Sequence, residues 1–172
     1  MDFSNLLEKG HSKEITSIIV KEILIHPKKM DELMAIFLKG DTILSQRAAW
    51  PMSFAIENNP NLINNYYADM IKLLQQPNKH DAINRNILRA LQYVDIPKKY
   101  QGQLLDVCFR VLNSSKEPVA VKVFCMTVID NLSKIYPDII PELKASIEAL
   151  IPEGSAGIKS RGNKILKKLN SK

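Results

Sequence analysis

Cysteine and histidine are scarce in this chain, and each shortage removes a class of chemistry. The two cysteines, Cys108 and Cys125, lie inside apolar stretches and read as buried thiols rather than a disulfide framework or a metal pair. The three histidines, His11, His26 and His80, are far apart, and none sits in a His-Glu-x-x-His or Cys/His pattern. A Gly-rich phosphate loop and a Gly-x-Ser-x-Gly elbow are also missing. No catalytic residue, metal or cofactor is therefore expected, and the chain reads as a non-enzyme. No apolar run approaches the roughly 18 to 20 residues that span a bilayer, and residues 1–20 lack a basic segment followed by an apolar one. The expectation is a soluble cytoplasmic chain with no membrane partner.

Acidic residues are absent from one place in particular. Residues 159–172 hold Lys159, Arg161, Lys164, Lys167, Lys168 and Lys172 and no acid, which leaves 18 basic and 18 acidic side chains in the preceding 158 residues. The net charge of +6 thus belongs entirely to the C-terminal segment. Such a segment can contact an anionic surface. Its apolar positions Ile158, Ile165, Leu166 and Leu169 also suit a terminal helix that covers a core and leaves its charged face in water.

What remains is helical periodicity, with almost none of the two-residue alternation of strands. Ser12 is a candidate N-cap for a helix through Ile15, Ile18, Ile19 and Ile23. Met30, Leu33, Met34 and Phe37 mark its partner, ended by Gly40. Leu44, Ala48, Met52, Ala55 and Ile56 line a third helix. A fourth starts with Asn59 as cap and Pro60 in the first turn, and runs through Leu62, Ile63, Tyr66, Met70 and Leu74. The series continues through Ile83 to Val94, Leu104 to Leu112, Val121 to Ile135 and Ile139 to Leu150, with Ser115 and Pro118 starting the third of these. A last helix follows Pro152-Glu153-Gly154-Ser155. Nine helices are predicted, as four pairs and a cap.

A basic residue recurs along this series at Arg47, Arg85, Lys122 and Arg161, at steps of 38, 37 and 39 residues. Turns containing proline (His26-Pro27, Asn59-Pro60, Ile96-Pro97, Tyr136-Pro137) fall between them. A period of this length marks stacked two-helix units, each too small to bury its own apolar face. The predicted organisation is one α-solenoid domain over 1–172, with repeats at about 12–40, 41–77, 78–115 and 116–154 and a cap at 155–172. Turn signals at Gln76-Pro77-Asn78, Asn113-Ser114-Ser115 and Pro152-Glu153-Gly154 read as repeat junctions.

The segment from Asp41 through Arg47 and Trp50 to Asn59-Pro60 resembles a repeat of the HEAT and armadillo-like families. Asp81 with Arg85, and Glu117 with Lys122, look like weaker copies. The resemblance implies an all-α, right-handed superhelix of about four antiparallel helix pairs plus a C-terminal capping helix, with a concave binding face. Read physically, an acid near a helix N-terminus complements the dipole, and the basic residue one to two turns later is placed to pair with acid in the same or a neighbouring repeat. The row is thus either an internal ladder or a ligand-contacting face. Trp50 in Arg-Ala-Ala-Trp is also similar to segments of the DNA alkylation repeat family, which would imply a basic face formed by Arg47, Arg85, Arg89 and Lys122. No Asp here matches that family's catalytic position.

Two further features bear on a surface. Pro51 interrupts the third helix and removes the bond to the carbonyl of Arg47, so a kink is expected. Tyr66 and Tyr67 point about 100° apart on a helix, and since Tyr66 continues the series of Ile63 and Met70, Tyr67 is expected at the surface. The resulting expectation is an interaction module that binds a protein or peptide. The candidate surface is Arg47, Trp50, Tyr67, Arg85, Arg89, Lys122, Lys164 and Lys168, with a nucleic acid as the alternative partner.

Overall fold

The computed structural model describes residues 2–39, 42–76 and 80–171. Among them every regular element is helical: ten α-helices and two 3-10 turns. No helix among the described residues is long and apolar enough to cross a membrane. The chain forms two compact units, Met1–Asp95 and Ile96–Lys172. The boundary falls inside the stretch 78–115 that the sequence period marks as a repeat.

The first unit begins with a helix that the apolar pattern does not announce. α1 (Phe3–Glu8) is only six residues long, too short to show a helical period. Asp2 caps it by accepting from the Asn5 amide at 3.2 Å, while Phe3 and Leu7 are buried. This helix raises the observed number to ten. α2 (Lys13–Ile25) starts where Ser12 was expected to cap, with the serine Oγ accepting from Ile15 N at 3.2 Å. Its buried stripe is Thr16, Ile19 and Ile23, whereas Ile18, expected on that stripe, is 41% exposed. Ile18 lies about 100° from Ile19 around the helix, beyond the edge of a narrow buried face.

α3 (Lys29–Phe37) follows the Pro27 turn; the Gly40 stop expected after it lies outside the described residues, as do Asp41, Pro77 and Asn78. α4 (Ile43–Asn58) is capped by Thr42 and continues through the buried Pro51. It is the hub of the unit, packing against α1, α2, α3 and α6 (Asp81–Leu91). The fourth expected helix is broken. Asn59 caps a 3-10 turn over Pro60–Ile63, and α5 (Tyr67–Gln75) starts only after it. α5 packs on α6.

In the second unit, α7 (Lys98–Asn113) and α8 (Val119–Leu132) start directly after Pro97 and Pro118. Pro118 occupies the cap position of α8 and Ser115 lies outside the helix, so the expected serine cap is not used. A proline at this position pre-sets its own backbone for entry into the helix. The Pro137–Ile139 stretch is another 3-10 turn, followed by α9 (Ile140–Leu150) and α10 (Ala156–Asn170). α8 packs on α7, α9 and α10, and α9 on α10. Cys108 and Cys125 are fully buried free thiols in this core. Burial, and then the neighbouring Cys125 sulfur, raise the Cys108 pKa well above the usual thiol value.

Candidate functional site

The basic residues that stand out in the sequence divide structurally into two groups. Those of the first group reach back between 32 and 40 residues to a polar group on an earlier helix. Arg47 Nη1 donates to the carbonyl of Leu7 at 2.7 Å and to that of Glu8 at 3.1 Å, at the C-terminal end of α1. These carbonyls belong to the last turn of α1, where a cation meets the negative end of the helix dipole. Arg89 pairs with Glu57, donates to Ser53 Oγ at 3.2 Å and lies over the Phe54 ring at 3.9 Å. In the second unit Arg161 donates to the Thr127 hydroxyl. Lys168 Nζ holds both carboxylate oxygens of Asp130, at 2.6 and 2.8 Å.

The second group has no such tie. Arg85 is exposed, and no hydrogen bond or ion pair joins it to another side chain among the described residues, Asp81 included. Lys164 is exposed on α10 and equally unpaired among the described residues. Lys122 is 8% exposed, its stem packed into the unit, and it lines a cleft with Glu117 and Glu153 without forming an ion pair among the described residues.

The aromatic expectations need one correction. Tyr67 is 5% exposed and donates to the carbonyl of Asp95 at 2.9 Å, so it is a core residue; burial raises its pKa. Tyr66 is the half-exposed member, and its hydroxyl donates to the Asp31 carboxylate. Burial first, and then that carboxylate, raise the Tyr66 pKa strongly. Because α5 starts at Tyr67, its own face runs Tyr67, Met70, Ile71 and Leu74, all buried. Trp50 is half-buried, with its ring 5.1 Å from His11 and 5.7 Å from Phe54.

These placements produce two clefts of interest, one in each unit. In the first unit, His11, Ile43, Gln46, Arg47, His80 and Arg85 line a cleft of about 350 Å³. His80 caps α6 there, its Nδ1 accepting from Ala82 N at 3.2 Å, and Ile43 is 64% exposed at its edge. Sequence reasoning found the two arginines but not His11, His80 or Ile43, because their convergence depends on α4 and α6 lying side by side. In the second unit, a cleft of about 500 Å³ between α8 and α10 is lined by Thr127, Asp130, Arg161, Lys164, Ile165 and Lys168. Thr127 and Asp130 were also missed. A usable signal existed, since each lies about one repeat length before its basic partner, 34 residues for Thr127–Arg161 and 38 for Asp130–Lys168. No group of His, Cys, Asp or Glu among the described residues is arranged to hold a metal ion.

No curated protein and no solved structure matches the chain. A family model, the HEAT repeat domain, matches residues 3–169. That span runs from the first residue of the short α1 to the last residue but one of α10. By its sequence, its all-helical architecture and the extent of that match, the chain belongs to the HEAT repeat family.

Proposed function

We propose that the chain is a non-enzymatic interaction module that takes a segment of a partner protein in the α4–α6 cleft of its first unit. Membership of the HEAT repeat family supports the general role, since such repeats commonly mediate protein interactions. The observation that carries the choice of surface is Arg85. It is an exposed guanidinium without an ion pair among the described residues, in a cleft edged by the 64% exposed Ile43. An arginine that anchors a helix has donors committed to it, as Arg47 and Arg89 do. One that faces an open cleft keeps its donors for a carboxylate or a carbonyl of an incoming chain. Ile43 supplies apolar area beside it, and the Trp50 ring lies tilted against that of the cleft residue His11. An apolar contact flanked by a planar donor is the composition found at the centres of protein interfaces.

The test is site-specific photo-crosslinking in the full chain. A benzophenone amino acid at Ile43 is expected to capture a protein partner, and the same group at the exposed Glu148 of α9 is not. Arg85→Glu is expected to abolish the capture from Ile43. Equal capture from both positions, or capture that Arg85→Glu leaves intact, overturns the assignment of this cleft.

A further inference from the structure

The cleft between α8 and α10 is built differently from the one in the first unit. Three cations from one face of α10, Arg161, Lys164 and Lys168, stand along it at spacings of three and four residues. Opposite them α8 contributes a single carboxylate, Asp130, whose side chain is 11% exposed and held at both oxygens by Lys168. Ile165, 4% exposed, lies between the cations. Lys164 is exposed and forms no ion pair among the described residues. Lys159 and Lys167 are exposed on the same helix, and residues 159–172 carry no acid at all. Half of the six cations that make up the chain's excess charge thus line this one concavity, where field lines from several cations converge on bound charge.

We propose that the α8–α10 cleft is a docking site for an acidic segment of a partner protein, with Lys164 as its principal contact and Ile165 as its apolar floor. The proposal rests on the reading of the chain as an interaction module but concerns a second surface. A cation set alternating with an apolar residue suits side chains that alternate acid and small apolar groups. A nucleic acid fits less well. Among the described residues no aromatic side chain lines the cleft to stack a base. Arg161 and Lys168 hold α10 on α8, so the site is pre-formed and loses little freedom on binding.

The experiment uses the full chain and three fluorescein-labelled probes: a twelve-residue peptide alternating Glu and Ala, its Gln–Ala counterpart, and dodecathymidylate. The Glu–Ala peptide is expected to bind saturably at low salt, to be released as salt is raised, and to outcompete the other two. Lys164→Glu, at an exposed position, is expected to weaken it by about tenfold, while the charge-matched Lys21→Glu on the exposed side of α2, outside both clefts, leaves it unchanged. Absence of saturation, or an unaltered affinity in Lys164→Glu, overturns the proposal. Tighter binding of the oligonucleotide replaces the protein segment by a nucleic acid. Loss of binding in Arg85→Glu moves the site to the first unit, where crosslinking from Ile43 tests it separately.

Discussion

Arg47 donates to the main-chain carbonyl of Leu7 at 2.7 Å, across 40 residues of sequence, and so fastens the first helix of the chain to the hub helix α4. At the opposite end of α1 the Phe3 amide donates to Glu32 Oε1 at 2.7 Å. A six-residue helix is too short to hold itself together in water, and α1 persists because tertiary partners satisfy both of its ends. Arg47→Ala is expected to remove a charge-assisted bond to a partly buried carbonyl and to lower stability by about 1 to 3 kcal/mol. Amide exchange should accelerate in α1 more than in α6. Arg47→Lys restores the charge on a shorter side chain with a differently shaped head, and is expected to recover only part of the loss. Equal exchange in α1 of the wild type and Arg47→Ala would remove the clamp from the account.

Acid should release the same helix from its other end. Burial works against the Glu32 carboxylate, but Lys29 at 2.7 Å and the Phe3 amide outweigh it, and the pKa lies below the usual glutamate value. A carboxylate with a depressed folded-state pKa contributes stability that is present above its unfolded value, near 4.5, and is lost as pH falls through the folded value. The expected outcome is a loss of α1 protection below about pH 4.5, absent in Glu32→Gln, which has no charge to lose. Fluorescence of Trp50, whose ring lies 5.1 Å from that of His11 just after α1, gives a convenient second readout.

Arg89 ties α6 to α4 through Glu57, Ser53 and the Phe54 ring at once. With the arginine side chain 17% and the glutamate 29% exposed, the pair is partly shielded from water and salt. A double-mutant cycle on Arg89→Ala and Glu57→Ala is expected to show a coupling of about 0.5 to 3 kcal/mol. Arg89→Ala alone should cost more than Arg85→Ala, which loses no bond among the described residues. If the two arginines prove equally costly, the division of the basic residues into anchors and free groups fails.

The helical period and the proline turns were legible because both are local. Apolar spacing gives the faces of α3, α4 and α6, and Ser12 caps α2 as its side chain dictates. The exchange of roles between Tyr66 and Tyr67 shows where local reasoning stops. A phase extrapolated from Pro60 assumes one continuous helix, whereas the 3-10 turn over Pro60–Ile63 and the residues after it reset the phase before α5 begins. The spacing of Arg47, Arg85, Lys122 and Arg161 was equally visible, but not what each side chain meets. Arg47 finds carbonyls rather than the acid that a charge ladder implies, and one partner of Arg161 is a hydroxyl. Those partners belong to the main chain or to neutral residues, which a charge pattern does not mark.

Two glycines of the second unit provide a prediction whose sign depends on position alone. Gly162 lies inside α10, where a Cβ would stand 2.8 Å from Ile147 Cγ2 of α9, closer than packed carbons tolerate. Ile147 is itself fully buried and has no room to withdraw. Gly162→Ala is therefore expected to push α10 away from α9 and to cost about 1 to 3 kcal/mol despite the better helix propensity of alanine. Gly102 lies inside α7 with nothing within 4 Å of the same added atom. Gly102→Ala should stabilise by about 0.4 to 1 kcal/mol, because alanine has less freedom to lose on folding. Urea unfolding of both variants checks the pair. Stabilisation by both substitutions would mean that the close approach of α10 to α9 at Gly162 does not hold in solution, and would loosen the wall of the α8–α10 cleft with it.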